Sequence, residues 1–134
     1  MSRLLGVDYG SKRVGLAVSD ALGLIASPLS VVPRSSAVED VVALVKELDI
    51  VTIVVGLPTA LGGGEGVSAS EARRLADELA TATGVEVVLR DERFTSRMAE
   101  GALVETGMKR RKRRETVDKI AATIILQDYL DNNR

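Results

Sequence analysis

Along the first third of the chain, apolar residues come in short runs broken by glycine. Leu4 to Asp8, Val14 to Ser19 and Leu24 to Val32 read as three consecutive strands, with Gly10, Gly15 and Gly23 punctuating them. Their close spacing predicts an antiparallel meander. Ser35 or Ser36 can cap a helix from Ala37 to Leu48, in which Val38, Val41, Val42, Val45 and Leu48 recur at helical spacing and face the sheet. Ile50 to Val55 is nearly all β-branched, as a central strand covered on both faces requires, and it ends at Gly56-Leu57-Pro58. A helix over Ser68 to Thr83 and a strand over Val85 to Arg90 follow, which predicts a parallel pair with a right-handed crossover. Two more helices, Phe94 to Thr106 and Glu115 to Leu130, complete an α/β pattern without internal repeats.

Polar residues that interrupt this pattern carry the chemistry. Asp8 ends an apolar run. An ionised carboxylate buried there is costly unless it is paired, hydrogen-bonded or bound to a cation, and a metal ion is the leading candidate. The competing reading makes Asp8-Tyr9-Gly10 a solvated hairpin turn. On the final helix, at about 100° per residue, Asp118 shares an arc with Ala121, Ala122, Ile125 and Tyr129, while Lys119, Thr123 and Gln127 form the opposite polar stripe. Asp118 can also be explained as a first-turn acid favoured by the helix dipole, and Asp128 as a partly solvated residue of the last turn. Asp91-Glu92 ends the last strand, and alternation leaves open which of the two belongs with Asp8 and Asp118. Three carboxylate positions at the ends of core elements point to a cluster.

Composition narrows the chemistry further. The 134 residues fit one domain spanning 1–134, with 46% hydrophobic content and no apolar run long enough to span a bilayer, so no membrane partner is expected. The start of the chain shows no signal-peptide pattern, which predicts a cytoplasmic location. With neither Cys nor His, thiolate or imidazole metal ligands and Cys or His catalysis are excluded. The glycine-rich stretch Gly62-Gly63-Gly64-Glu65-Gly66 lacks the Lys-Ser or Lys-Thr of a P-loop and reads as a surface loop. Net charge is −1, yet Lys109-Arg110-Arg111-Lys112-Arg113-Arg114 is an unbroken basic run, read either as a solvated loop or as a polyanion-binding strip.

The segments Gly6-Val7-Asp8-Tyr9-Gly10 with Arg13-Val14-Gly15, Val55-Gly56-Leu57-Pro58, Asp91-Glu92-Arg93-Phe94-Thr95-Ser96 and Val117-Asp118-Lys119-Ile120-Ala121-Ala122 together resemble the bacterial YqgF family, also called RuvX. The resemblance spans essentially the whole chain. It implies an RNase H-like mixed sheet, three antiparallel strands followed by parallel strands, with helices on both faces. It also implies a catalytic and metal-binding triad of Asp8, Glu92 and Asp118, and so selects Glu92 from the acidic pair.

Carboxylate oxygens suit Mg²⁺ or Mn²⁺, and two ions about 4 Å apart can activate water and stabilise a leaving oxygen in phosphodiester hydrolysis, with Asp8 as the bridging ligand. Lys12, Arg13, Arg93 and Arg97 stand beside these positions and can hold a phosphate backbone, or be ordinary surface charge. With Tyr9, Phe94 and Tyr129 the only aromatics, recognition should lean on backbone and shape rather than base stacking. The implied substrates are the 5′ end of pre-16S ribosomal RNA, which is favoured and brings ribosomal particles in as partners, or a four-way DNA junction. The protein would act as a monomer or, for junctions, as a homodimer. An actin-like phosphotransferase and a non-catalytic nucleic-acid-binding module are the readings from other classes.

Overall fold

A computed structural model describes residues 2–10, 13–57, 67–91 and 110–132, with side chains over 2–10, 13–57, 69–90 and 119–132. Its five strands are β1 (Arg3–Tyr9), β2 (Arg13–Ser19), β3 (Ala26–Pro33), β4 (Ile50–Leu57) and β5 (Glu86–Asp91). They form one sheet in the order β3-β2-β1-β4-β5. The β1–β2 and β2–β3 pairs are antiparallel, whereas β1–β4 and β4–β5 are parallel. The meander and the parallel β4–β5 pair expected from the pattern are both present. Three helices complete the described chain: α1 (Ala37–Leu48), α2 (Val67–Thr83) and α3 (Arg110–Asn132).

Strand alternation sorts the sheet into two faces. On one, Leu5 and Val7 of β1, Leu16 of β2 and Ile53 and Val55 of β4 pack with Val41 of α1 and with Ala69, Ala72, Leu75, Ala76 and Leu79 of α2. Those α2 positions recur every three or four residues, the spacing of one helix face. On the other, Ala17 and Val54 meet Ala122, Ile125, Leu126 and Leu130 of α3. Central β1 is therefore covered on both sides.

Helix α3 lies close to β1 because the contact is made by small residues. A Cβ added at Gly6 would stand 2.8 Å from the Ala122 carbonyl oxygen and 2.8 Å from Leu126 Cβ. A backbone oxygen cannot rotate away, so the helix itself would have to shift. Gly6→Ala is expected to cost about 1–3 kcal/mol as an overpacking substitution, read as a lowered denaturation midpoint with an unchanged slope; an unchanged midpoint would show that the helix yields freely.

Two of the boundaries that differ from the sequence reading bear on polar residues. Leu24 and Ile25 belong to the β2–β3 turn rather than to β3. There the Asp20 carboxylate accepts bonds from Leu24 N (2.8 Å) and Ile25 N (3.1 Å), and these amides, Ile25 foremost, hold its pKa below the usual carboxylate value. Gln127 of α3 donates to the Leu24 carbonyl and accepts from Ala26 N, so this member of the expected polar stripe is engaged by the hairpin. The second difference is that α3 starts at Arg110, not at Glu115. Residues 110–114 of the basic run are helical, which corrects the loop reading, while Lys109 lies outside the described residues. The expected helix over 94–106 and the glycine-rich stretch 62–66 also lie outside them. Among the described residues, no helix is long and apolar enough to cross a membrane.

Candidate active site

Asp8 is the next-to-last residue of β1 and only 4% exposed. Ser19 is the other buried polar side chain among the described residues; its hydroxyl accepts from Leu4 N and donates to the Asp20 carbonyl, a structural role. A buried carboxylate is a different case, since its charge needs compensation that a hydroxyl does not. Burial within a strand overturns the reading of Asp8 as a solvated turn residue.

The register shows what surrounds it. Asp8 stands opposite Gly15 on β2 and opposite Gly56 on β4, and register partners share a face of the sheet. Neither register neighbour carries a side chain, so no Cβ of β2 or β4 stands beside the carboxylate at that level of the sheet. The sequence reading missed this role for the two glycines. Their signal was available, because glycine inside a strand often marks the close approach of a ligand or another backbone.

Asp8 shares its face with Gly6, and hence with α3. Asp118 lies in α3, four residues before Ala122, whose carbonyl borders Gly6. On β5, Val87 and Leu89 pack into the α1–α2 core, while Arg90 Nε donates to Asp128 Oδ2 of α3 at 2.8 Å. Even-numbered β5 residues are thus on the α3 face, and Arg90 stands opposite Gly56 in register with Asp8. Asp128, read as a solvated end residue, is exposed but ion-paired.

The remaining expected residues fall as follows. Arg13 opens β2 half-buried, and its carbonyl accepts the Gly10 N–H at 2.9 Å, closing the β1–β2 turn next to Asp8. Lys12, Glu92, Arg93, Arg97 and Lys109 lie outside the described residues, and Arg110, Arg111, Lys112, Arg113 and Arg114 are placed by backbone only. Among the described residues, no group of three acidic side chains converges.

Comparison with known structures defines the class. RuvC from Thermus thermophilus, solved in complex with a Holliday junction substrate, aligns over 98% of this chain and 95% of its own with a TM-score of 0.59 at 16% identity. A second Thermus thermophilus RuvC structure gives 0.55 at 16% identity, over 97% and 95% of the two chains. The fold is RNase H-like.

Sequence comparison then gives the family. The chain belongs to the RuvX family, described as Holliday junction resolvase, whose model matches residues 2–132. Relatives from Syntrophus aciditrophicus and Halalkalibacterium halodurans, each named "Putative pre-16S rRNA nuclease", are 45% and 42% identical. The alignments cover 96% of this chain and 88% of the first relative, and 98% of both chains for the second.

Proposed function

We propose that this chain is a single nuclease domain that hydrolyses phosphodiester bonds in RNA, acting at the 5′ end of pre-16S ribosomal RNA. The observation that carries the reading is the buried Asp8 carboxylate, flanked by Gly15 and Gly56 on the sheet face covered by α3. The donor type fits a hard divalent cation, because carboxylate oxygens are hard ligands and Gly15 and Gly56 place no side chain on either side of Asp8 within the sheet. Asp8, Glu92 and Asp118 would hold Mg²⁺ or Mn²⁺, two ions in all. When bound, these supply an acidified water and neutralise charge on the leaving oxygen.

The protein's own groups do the rest. Asp8, fixed by its place in the strand, would hold the ions at a set position beside the substrate. Glu92 rather than Asp91 is the second carboxylate that the likeness to the RuvX family implies. Asp118 is contributed by α3. Lys12, Arg13, Arg93 and Arg97 hold flanking phosphates, and the 109–114 run tracks the polyanion further out. The names of the relatives favour ribosomal RNA, with ribosomal particles as partners and the cytoplasm as the place of action.

The family description also favours a second reading, resolution of four-way DNA junctions. That activity requires two equivalent cuts and hence a symmetric dimer. The test is cleavage of end-labelled pre-16S leader RNA, unstructured RNA and a four-way DNA junction with Mn²⁺, Mg²⁺ or chelator. Metal-dependent cutting of the leader RNA is the expected result. Paired cuts in the junction would favour the second reading, and no cutting of any substrate would favour a binding module.

A further inference from the structure

Arg34 sits in the single helical turn between β3 and α1, yet its side chain reaches three other places. Its Nε donates to the Gly10 carbonyl at 3.0 Å, its Nη2 lies 3.0 Å from Glu71 Oε2 of α2, and its guanidinium carbon stands 4.1 Å from the centre of the Tyr9 ring. Tyr9 and Gly10 are the two residues that follow Asp8. Tyr9 packs with the α1–α2 core, so Arg34 grips the end of β1 from the face opposite to Asp8. Gly10 is held at both of its backbone groups: the N–H by the Arg13 carbonyl, the carbonyl by Arg34.

We propose that Arg34 is a positioning residue for the candidate active site, one that ties the end of β1 to α2 and so fixes the Asp8 carboxylate and the start of β2 at Arg13. The proposal deepens the nuclease reading and rests on it for the effect on catalysis. Arginine suits the task because its planar fork can donate to a carbonyl and a carboxylate while its face stacks on an aromatic ring. Lysine keeps a charge near Glu71 but cannot make all three contacts at once. The guanidinium does not touch the reacting atoms; it acts through Tyr9 and Gly10, and small displacements of a reacting group are expensive in rate.

The test uses the full chain with Arg34→Gln, Arg34→Lys and Glu71→Gln, following cleavage kinetics, Mn²⁺ binding by calorimetry without substrate, and hydrogen exchange at the Tyr9 and Gly10 amides. Arg34→Gln is expected to lower kcat by about 10- to 100-fold with little change in KM, to weaken Mn²⁺ binding, and to speed exchange at both amides. Arg34→Lys should fall between it and wild type. Glu71→Gln loses the ion pair to α2 but keeps the Tyr9 and Gly10 contacts, and its kcat should lie between those of Arg34→Gln and wild type. Wild-type kcat, Mn²⁺ affinity and amide exchange in Arg34→Gln would overturn the proposal, as would a fall in melting temperature with these three unchanged. Should the wild type itself cut nothing, the nuclease reading fails; faster amide exchange in Arg34→Gln would still support the positioning role, and unchanged exchange would overturn it too.

Discussion

Asp8→Asn is expected to remove cleavage while leaving the protein folded. The amide keeps the size of the carboxylate at a site only 4% exposed, so local packing is preserved. The variant should therefore still unfold cooperatively, which a thermal melt beside the wild type checks. What the variant loses is an anionic oxygen donor. Metal-ion stabilisation of a transition state is worth several kcal/mol, and at about 1.4 kcal/mol per factor of ten this corresponds to a rate loss on the order of a thousandfold. Chelator added to the wild type should give the same phenotype. Wild-type cleavage by Asp8→Asn would refute the assignment of Asp8 as a metal ligand, whatever the other carboxylates do.

Replacing Lys109, Arg110, Arg111, Lys112, Arg113 and Arg114 by Ser should weaken RNA binding and flatten its dependence on salt. Each phosphate contact on a single strand contributes a slope of about 0.7 in log K against log salt. Because 110–114 are helical, consecutive positions step around the axis, and the positions cannot all face one strand together. About three contacts is the geometric expectation, giving a slope smaller by about two. The same helical placement makes a second readout informative. The first turn of α3 contains no acidic residue, so cations stand at the positive end of the helix dipole, which is unfavourable. Serine's lower helix propensity works against the gain from removing them, so the melting temperature of the Ser variant should stay near that of the wild type, which separates a binding defect from unfolding. Filter binding across a salt series, with thermal melts alongside, measures both. A parallel salt line would return the run to ordinary surface charge.

Much of this molecule is visible in its local sequence. Helix α1 starts and stops at Ala37 and Leu48 as its spacing predicts, and each described strand core falls on an apolar run. Side-chain periodicity reports which residues of one element share a face, and this identifies Asp118 as a member of the arc that includes Ala122 and Ile125. The ends of elements are less legible because they depend on partners. Leu24 and Ile25 look like strand, but the Asp20 carboxylate captures their amides for a turn. Arg110 to Arg114 look like loop, but they continue a helix anchored further along by Ala122, Ile125 and Leu126 against the sheet.

The sequence by itself determined the elements, the absence of imidazole and thiol chemistry, and the placement of an acid at the end of a core strand. Tertiary structure alone decided that β1 is central, that Gly15 and Gly56 flank Asp8, and that Arg34 spans from the β3–α1 junction to Gly10 and Glu71. The physical reason is range. Alternation and helical spacing are properties of neighbouring residues, whereas strand order, register and a guanidinium shared among three elements arise only when distant segments pair and exclude water together.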